Sequence, residues 1–138
     1  IGTSASYDLA ISGAEGDIAE GYYSAGFFDA PYPDTANPEA AAWIEKYKAR
    51  YNIDPTIQAA IGQVIIDLTL KAINNAGQDL TTQSFVQGME SIKGYQDIFG
   101  GPTQGFSETN HVSSHDSVIY RVEKGRWVRV ADAGVTSK

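Results

Sequence analysis

The sequence predicts an α/β fold with a helix-rich middle and strands at both ends. Apolar residues between Asp54 and Gly77 recur at three- and four-residue spacing, which indicates one long helix. Two shorter helical patterns flank it, and the residues of 117–122 and 126–130 alternate in the manner of strands. With 138 residues, the chain is long enough for one domain with its own core.

The long helix is expected near 56–76. We predict Asp54 as its N-cap, Pro55 at its first position and Gly77 just after its end. Ile66 and Leu70 add apolar surface beside the main face, so the polar stripe is narrow and more than one side should be covered. The predicted buried face consists of Ile57, Ile61, Val64, Ile65, Leu68 and Ala72.

Residues 1–8 are predicted to form the end of a strand and a small polar loop with hydroxyls at Thr3, Ser4 and Ser6. Two interpretations stay open. The hydroxyl residues either cap a helix that begins near Tyr7, or they face a ligand at the carboxyl end of a strand, where open α/β sheets bind ligands.

Residues 21–28, GYYSAGFF, are predicted to form an aromatic-rich strand, and Pro31 and Pro33 indicate a stiff connector after it. The aromatic side chains could stack on a ligand or pack in the core and the crossover. Core packing is the more common role for such a cluster.

Two further helices are predicted. Asn37 caps the one near 37–51, with Pro38 at its first position, and Thr81 or Thr82 caps the one near 82–91. The residues expected to face inward are Ala41, Ile44, Tyr47 and Tyr51 in the first, and Phe85, Val86 and Met89 in the second.

The last third reads as β-structure. Thr103–Phe106 is predicted as a short strand, and 117–130 as a hairpin that turns at Glu123-Lys124-Gly125, where glycine allows a positive φ. Val118, Tyr120 and Val122 should share one face, and the tail Ala133–Lys138 is expected to be loose.

Composition narrows the function classes. A net charge of −7 argues against nucleic acid or an anionic membrane as the main partner. No apolar run is long enough to span a bilayer, and the absence of cysteine excludes disulfides and thiolate zinc sites. Because the chain opens on Ile1 without methionine, we expect a processed product or a piece of a longer protein.

Catalytic and metal motifs are not evident in the sequence. His111 and His115 are four residues apart, a spacing that can bind a metal on a helix, but they lie in a turn-rich stretch without a glutamate partner. No nucleophile elbow, phosphate-binding loop or dinucleotide fingerprint occurs. We therefore predict no enzyme activity, no metal and no cofactor.

The order of the motifs is recognisable across nearly the whole chain. They are IGTS, Ala19-Glu20-Gly21 before the aromatic strand, PDTANPEAAAWIEKYKARYNIDP, the long helix ending at Gly77, GGPTQGFSETN and SVIYRVEKGRWV. This series resembles the branched-chain-amino-acid (Leu/Ile/Val-binding-like) family of ABC-transporter periplasmic solute-binding proteins. The chain is similar to the carboxyl-terminal part of such a protein, because the family has two α/β lobes and more than twice this length.

The resemblance implies part of a type I periplasmic binding protein fold, whose lobes are three-layer α/β structures. Residues 1–25 would belong to the second lobe, and 26–110 would supply first-lobe helices and a hinge strand. Residues 111–138 would then form the return hinge and the second-lobe hairpin. The crossovers would lie near 27–33 and 106–117.

The resemblance also implies ligand contacts at Thr3 and Ser4, in the loop 2–6, and at Gln58 and Ile61, at the start of the long helix. The chain departs from the family where many relatives carry Tyr-Asp-Ala, since it has Gln63-Val64-Ile65 there. It also has Ser4 where amino-acid binders place a carboxylate for the ligand ammonium. A carboxylate or aromatic ligand is therefore expected rather than an amino acid.

A small-molecule ligand and an ABC permease are the implied partners, and the implied location is periplasmic, or extracellular with a lipid anchor. The alternatives are a ligand-sensing domain on the same fold, a small α/β enzyme fragment, or an acidic domain that only mediates protein contacts. In isolation, the helix faces should be covered by the remainder of the chain or by a second copy. The simplest result is a dimer centred on Ile57–Ile73.

Overall fold

The computed structural model describes residues 1–134, which form a three-stranded antiparallel sheet packed with helices. Two 3₁₀ turns, at Ser4–Ser6 and Glu15–Asp17, lie before the first strand. The elements in chain order are α1 (Leu9–Ser12), β1 (Tyr23–Gly26), α2 (Pro38–Tyr51), α3 (Ile57–Ala76), α4 (Thr82–Glu90), β2 (Asp116–Glu123) and β3 (Arg126–Gly134). The predicted α/β class, the three main helices and the strands at both ends are confirmed.

The sheet has the order β1-β2-β3, so the first and last parts of the chain share it. Gly2 adds a parallel bridge to Ser24 on the free edge of β1, with its backbone N–H 2.7 Å from the carbonyl oxygen of Tyr23. The β2–β3 turn has φ of 53° at Lys124 and 74° at Gly125, a pair of positive values typical of the tight turn that suits strand twist.

The buried apolar residues form one connected cluster with a sheet side and a helix side, although α2, α3 and α4 make few direct contacts with the strands. Tyr120 is almost fully buried at its centre, and its ring stacks on Tyr7 with 4.5 Å between centroids. The main sheet-side members are Tyr7, Val118, Tyr120, Val122 and Trp127, and the main helix-side members are Ala40, Ile57, Ala60, Val64, Leu68 and Ala72. The predicted shared face of Val118, Tyr120 and Val122 is therefore confirmed.

The long helix spans Ile57–Ala76, within one residue of the predicted range, but its predicted N-cap is wrong by two residues. Thr56, not Asp54, is the N-cap of α3, and its hydroxyl oxygen accepts from the backbone N–H of Ala59 at 3.1 Å. Pro55 is buried before the cap rather than inside the helix. Thr56 has the extended backbone and the side-chain oxygen that a cap needs, and Asp54 instead pairs with Lys48 at 3.0 Å.

The buried face of α3 is also rotated from the prediction. Ala60 is fully buried, whereas Ile65 is 56% exposed and Ile61 is half-buried. Ile57, Val64, Leu68 and Ala72 are buried as predicted, so the difference is at the edges of the face. The physical reason is that three- and four-residue spacing locates the middle of a buried face, while neighbouring elements decide where its edges lie. Ile66 and Leu70 remain exposed on the opposite side.

In the two other helices, Ile44 is buried and Phe85 and Met89 pack against the core as predicted, but other positions differ. Ala40 rather than Ala41 is buried in α2, and Tyr51 is 55% exposed. In α4, Val86 is exposed, and Gly88 is the buried residue. Periodicity does not show where a neighbouring element packs. It therefore cannot predict which residues face inward near a helix end or at a close helix contact.

The helix caps resolve two open alternatives. Thr81 caps α4, with Ser84 completing a reciprocal pair of cap hydrogen bonds. Near the amino terminus, Asp8 caps α1 through its Oδ1, which accepts from the N–H of Ala10 at 2.8 Å. The hydroxyls of Thr3 and Ser4 therefore cap no helix, and the helix-capping interpretation of that loop is wrong for them.

Two β-strand predictions also change. The segment Thr103–Phe106 is not a strand, and only Gln104 makes a bridge, to Tyr95. The predicted loose tail Ala133–Lys138 begins within β3, which continues to Gly134, and 135–138 lie outside the described residues.

None of the helices within residues 1–134 has the length and apolar character needed to cross a membrane.

The α3–α4 contact gives a stability prediction. A methyl group at Gly88 would lie 2.2 Å from the carbonyl oxygen of Ala72, so Gly88→Ala should lower the free energy of unfolding by about 1–3 kcal/mol, as overpacking does. Gly62→Ala is the matched control, because its methyl meets nothing within 4 Å and helix propensity should raise stability by up to about 1 kcal/mol. Urea denaturation measures both, and equal effects would contradict the close packing of α3 and α4.

Candidate functional site

The predicted ligand loop is exposed at the edge of the sheet. Thr3 and Ser4 follow the Gly2 bridge directly, and the Ser4–Ser6 3₁₀ turn carries them away from β1. Both side chains are open to solvent. They are therefore free to contact a ligand with their hydroxyl groups.

A hydroxyl network holds the backbone of this loop. The carbonyl oxygen of Thr3 accepts from Ser6 Oγ at 2.7 Å and from Ser24 Oγ at 2.8 Å, and the two serine hydroxyls lie 3.0 Å apart. A methyl group at Gly2 would lie 2.0 Å from the Tyr22 hydroxyl and 2.1 Å from Ser6 Oγ, so a larger residue there would displace these hydroxyls. The loop is thus anchored to β1, and the buried Ser24 is a contributor that sequence reasoning missed.

The other predicted contacts lie on the first turns of α3. Gln58 is exposed, and Ile61 is half-buried against the core one turn later. The side-chain N–H of Gln58 donates to Asp8 Oδ2 at 2.9 Å. Asp8 therefore joins the segment that carries Thr3 and Ser4 to the start of α3.

Asp8 is the second residue that the sequence analysis missed. Its Oδ1 caps α1, its Oδ2 accepts from Gln58, and its carbonyl oxygen accepts from the Trp127 indole N–H at 2.8 Å. An aspartate just before a short apolar stretch is a cap signal in the sequence. Its contacts with Gln58 and Trp127 join residues 50 and 119 positions apart, and no local pattern reveals them.

The aromatic segment serves mainly as core and crossover. Phe28 is buried, and its carbonyl oxygen accepts from the Tyr7 hydroxyl at 2.9 Å. Burial raises the pKa of the Tyr7 hydroxyl far above its ordinary value, so it stays protonated as a donor. Tyr32 lies under Arg126, with the guanidinium 4.0 Å from the ring centroid.

Polar contacts tie the connector after β1 to the hairpin. Asp34 accepts two hydrogen bonds from Arg126, at 2.7 and 2.6 Å, and these hydrogen bonds lower the pKa of Asp34. Tyr120 donates to Asp29 at 2.9 Å, and Arg129 donates to the carbonyl oxygen of Gly100 at 2.9 Å. Both arginines therefore already have protein partners.

An open cleft of about 560 Å³ lies between this connector, the start of α2 and the hairpin. Its walls include Asp29, Tyr32, Phe99 and Trp127. None of the four predicted ligand residues lines it. Trp127 lines this cleft, whereas Asp8 and Gln58 do not, so the cleft and the predicted ligand residues are separate features of the structure.

Asp97 is linked to the connector through the backbone of Phe99. Its Oδ1 accepts from the backbone N–H groups of Phe99 at 2.7 Å and Gly101 at 3.2 Å, and the Phe99 carbonyl oxygen accepts from the N–H of Asp29 at 2.9 Å. Oδ2 is buried and has no hydrogen-bond partner among the described residues. Burial raises the pKa of Asp97, because the charged form is poorly solvated there.

The two histidines do not share a site. His111 Nε2 lies 2.8 Å from Glu90 Oε1 on α4, and both histidines are exposed in the stretch before β2. Within residues 1–134, no group of three or more histidine, cysteine, aspartate or glutamate side chains is arranged to hold a metal ion.

The part of the chain that runs from the loop through the long helix to the turn of the closing hairpin matches a known sequence family. Residues 1–126 match the profile described as periplasmic binding protein. The chain belongs to this family. No curated protein sequence matches the chain closely enough to add to this assignment.

Solved structures show the same fold for this periplasmic binding protein chain. A branched-chain amino acid ABC transporter protein from Thermus thermophilus with bound valine is 18% identical, with a TM-score of 0.78 over 99% of this chain and 39% of its own. A solute-binding protein from Rhodopseudomonas palustris BisB5 in complex with 3,4-dihydroxybenzoic acid is 18% identical, with a TM-score of 0.71 over 94% and 35%. A leucine-binding protein from Thermotoga maritima MSB8 is 22% identical, with a TM-score of 0.64 over 87% and 33%.

The chain spans between a third and two fifths of the length of these proteins. The fold assignment to a periplasmic binding protein, with branched-chain-type neighbours, is thereby confirmed. At 18 to 22% identity, these neighbours establish the fold of the chain.

Asp97 gives a prediction on pH. Its folded-state pKa lies above the ordinary value of 3.8, so the folded state holds the proton more tightly than the unfolded state. The free energy of unfolding should therefore fall as the pH rises from about 3.8 through the raised pKa. Asp97→Asn keeps an oxygen acceptor for Phe99 and Gly101 and should remove this slope.

The control for this experiment is Asp116→Asn, which changes an exposed aspartate and should keep the wild-type slope. Urea denaturation at a series of pH values gives both curves. Identical pH profiles for wild type and Asp97→Asn would contradict the account of Asp97.

Proposed function

We propose that this chain is part of the solute-binding receptor of an ABC uptake transporter, in which a small molecule binds between two lobes. The observation that carries the proposal is the position of the anchored hydroxyl loop, which meets the start of α3 through Asp8. Membership of the periplasmic binding protein family supports it. So do fold neighbours that hold valine or 3,4-dihydroxybenzoic acid.

The proposed lobes follow the sheet and the helices. Residues 1–25 and 111–138 form one lobe, and the support is that β1 and the Gly2 bridge share one sheet with β2 and β3. Residues 26–110 contribute to the other lobe, where α3 packs against α4, and Trp43 of α2 donates to Gln63 at 2.8 Å. The crossovers at 27–33 and 106–117 are then the hinges.

The proposed mechanism is ligand-driven closure. A ligand that bridges Thr3 and Ser4 of one lobe to Ile61 of the other, beside Gln58, contacts both lobes only when they are closed, so it shifts the equilibrium toward that state. An ABC permease then recognises the closed form. This role needs neither catalysis nor a cofactor, and it fits a periplasmic location, or an extracellular one with a lipid anchor.

The proposed ligand lacks an α-ammonium group. Ser4 offers a hydroxyl instead of a carboxylate, and it can donate to an anionic ligand oxygen. Asp8 is the acid beside Gln58, but one oxygen caps α1 and the other accepts from Gln58. An aromatic or short-chain carboxylate therefore suits the loop better than an amino acid does.

The ligand proposal predicts tighter binding of benzoate than of leucine or valine by the full-length protein. An ammonium without an acidic partner forgoes a charge-assisted hydrogen bond of about 1.5–3 kcal/mol. Ser4→Glu should therefore gain affinity for leucine and lose affinity for benzoate by like-charge repulsion. Isothermal titration calorimetry measures both.

Ser4→Thr is the matched control, since it keeps the hydroxyl and should keep the wild-type preference. Tight binding of leucine or valine by the wild type, without response to benzoate, would reverse the ligand assignment.

The apolar face of α3 leads to a proposal about assembly. Ile65, Ile66 and Leu70 are each more than half exposed on the surface of α3. Ile57 is buried in the core and cannot contact a second copy. The proposed dimer contact is therefore centred on these three residues and not on the whole predicted range Ile57–Ile73. In the 138-residue chain alone, we propose that a second copy covers this face, because burying each side chain contributes roughly 1.5–3 kcal/mol.

Light scattering tests this assembly on the isolated 138-residue chain. The wild type should be a dimer at micromolar concentration, and the double variant Ile66→Lys, Leu70→Lys should be a monomer. Leu80→Lys, at an exposed leucine outside this face, should remain a dimer. A compact wild-type monomer would show that the face needs no partner copy.

A further inference from the structure

The hydrogen bond from Gln58 to Asp8 connects parts of the chain that the proposed function assigns to different lobes. The Gln58 Nε2 donates to Asp8 Oδ2 at 2.9 Å, across 50 positions of sequence. Asp8 lies at the end of the ligand loop, and Gln58 lies on the first turn of α3. Such a bond can form only when the two lobes approach each other.

Both ends of this bond are held in place by other contacts. Asp8 Oδ1 is fixed by the N–H of Ala10, and the carbonyl oxygen of Asp8 by the Trp127 indole N–H. On the other side, the Thr56 cap and the buried side chain of Ile57 fix the first turn of α3. A change at Gln58 or Asp8 should therefore alter this contact without reshaping either segment.

We propose that the Gln58–Asp8 hydrogen bond is a latch that sets ligand affinity through the closed state of the two lobes. This inference rests on the proposed function. Because the bond adds the same free energy to the closed state whatever ligand is bound, its loss should weaken all ligands by one common factor. A direct ligand contact by Gln58 would instead change affinity by a factor that depends on the ligand.

Two substitutions separate these roles. Gln58→Glu places a carboxylate against the Asp8 carboxylate and replaces an attraction with repulsion. Its fold should persist, because an acidic residue is favourable in the first turn of a helix. Asp8→Asn keeps the cap oxygen for Ala10, since asparagine caps helices as well as aspartate does. Together, the two changes restore a donor and an acceptor with the roles exchanged.

Calorimetry on the full-length protein is the first readout, with benzoate, 3,4-dihydroxybenzoate, leucine and valine as probes. Gln58→Glu should weaken every probe that binds the wild type by about tenfold, the size of one charge-assisted hydrogen bond. Asp8→Asn alone should stay within about twofold, because the Gln58 amide can rotate to present its oxygen. The double variant should return to within about twofold of the wild type.

Small-angle X-ray scattering without ligand is the second readout. The Gln58→Glu variant should have a larger radius of gyration than the wild type, and the double variant should return to the wild-type value. Equal melting temperatures for all four proteins establish that the fold is unchanged. The radius of gyration tests the latch even if none of the probes binds. Failure of all probes to bind would contradict the proposed ligands but not the latch.

Two outcomes would overturn the latch. The first is a double variant that binds as weakly as Gln58→Glu, because a direct contact between Gln58 and the ligand cannot be repaired at Asp8. The second is a loss of affinity that differs among the probes together with an unchanged radius of gyration.

Discussion

The stacking of Tyr7 on Tyr120 is the contact on which the rest of the structure depends. The two rings lie 4.5 Å apart, Trp127 lies 5.3 Å from Tyr7, and the Tyr7 hydroxyl donates to the carbonyl oxygen of Phe28. This one side chain therefore joins the ligand loop, the hairpin and the crossover after β1. Because the ring is buried and its hydroxyl has a partner, the contact gains apolar burial without leaving a polar group unsatisfied.

Around this aromatic centre, the chain uses polar contacts where segments must be positioned rather than merely packed. The Thr3 carbonyl is held by two serine hydroxyls, and Asp34 is held by Arg126. Surface ion pairs contribute little to stability on their own, but paired geometry of this kind fixes orientation. The proposed receptor function needs fixed orientations of this kind. Ligand binding depends on the positions of a few polar groups, and closure requires the same two segments to meet in the same geometry each time.

Element types were predictable because they depend on local signals. Proline and asparagine at the start of α2 and the spacing of Val64 and Leu68 in α3 are visible within a few residues of sequence. The cap at Thr56 was not predictable, because Asp54, two residues earlier, is also a residue type that caps helices. The exposure of Ile65 was not predictable either, because Ile65 fits the same three- and four-residue spacing as the buried residues. The four predicted ligand contacts were inferred from the family resemblance, and their role remains a prediction. They are Thr3, Ser4, Gln58 and Ile61.

The sequence by itself determined the α/β class, the order of helices and strands and the acidic character, since these follow from periodicity, turn residues and charge within short windows. The tertiary structure decided which side of α3 is buried, that Ser24 anchors the loop and that Asp8 meets Gln58. These features depend on contacts between residues about 20 to 50 positions apart. Such contacts are chosen by packing of the whole chain, where the approach of α4 through Gly88 or the burial of Tyr7 outweighs any local preference.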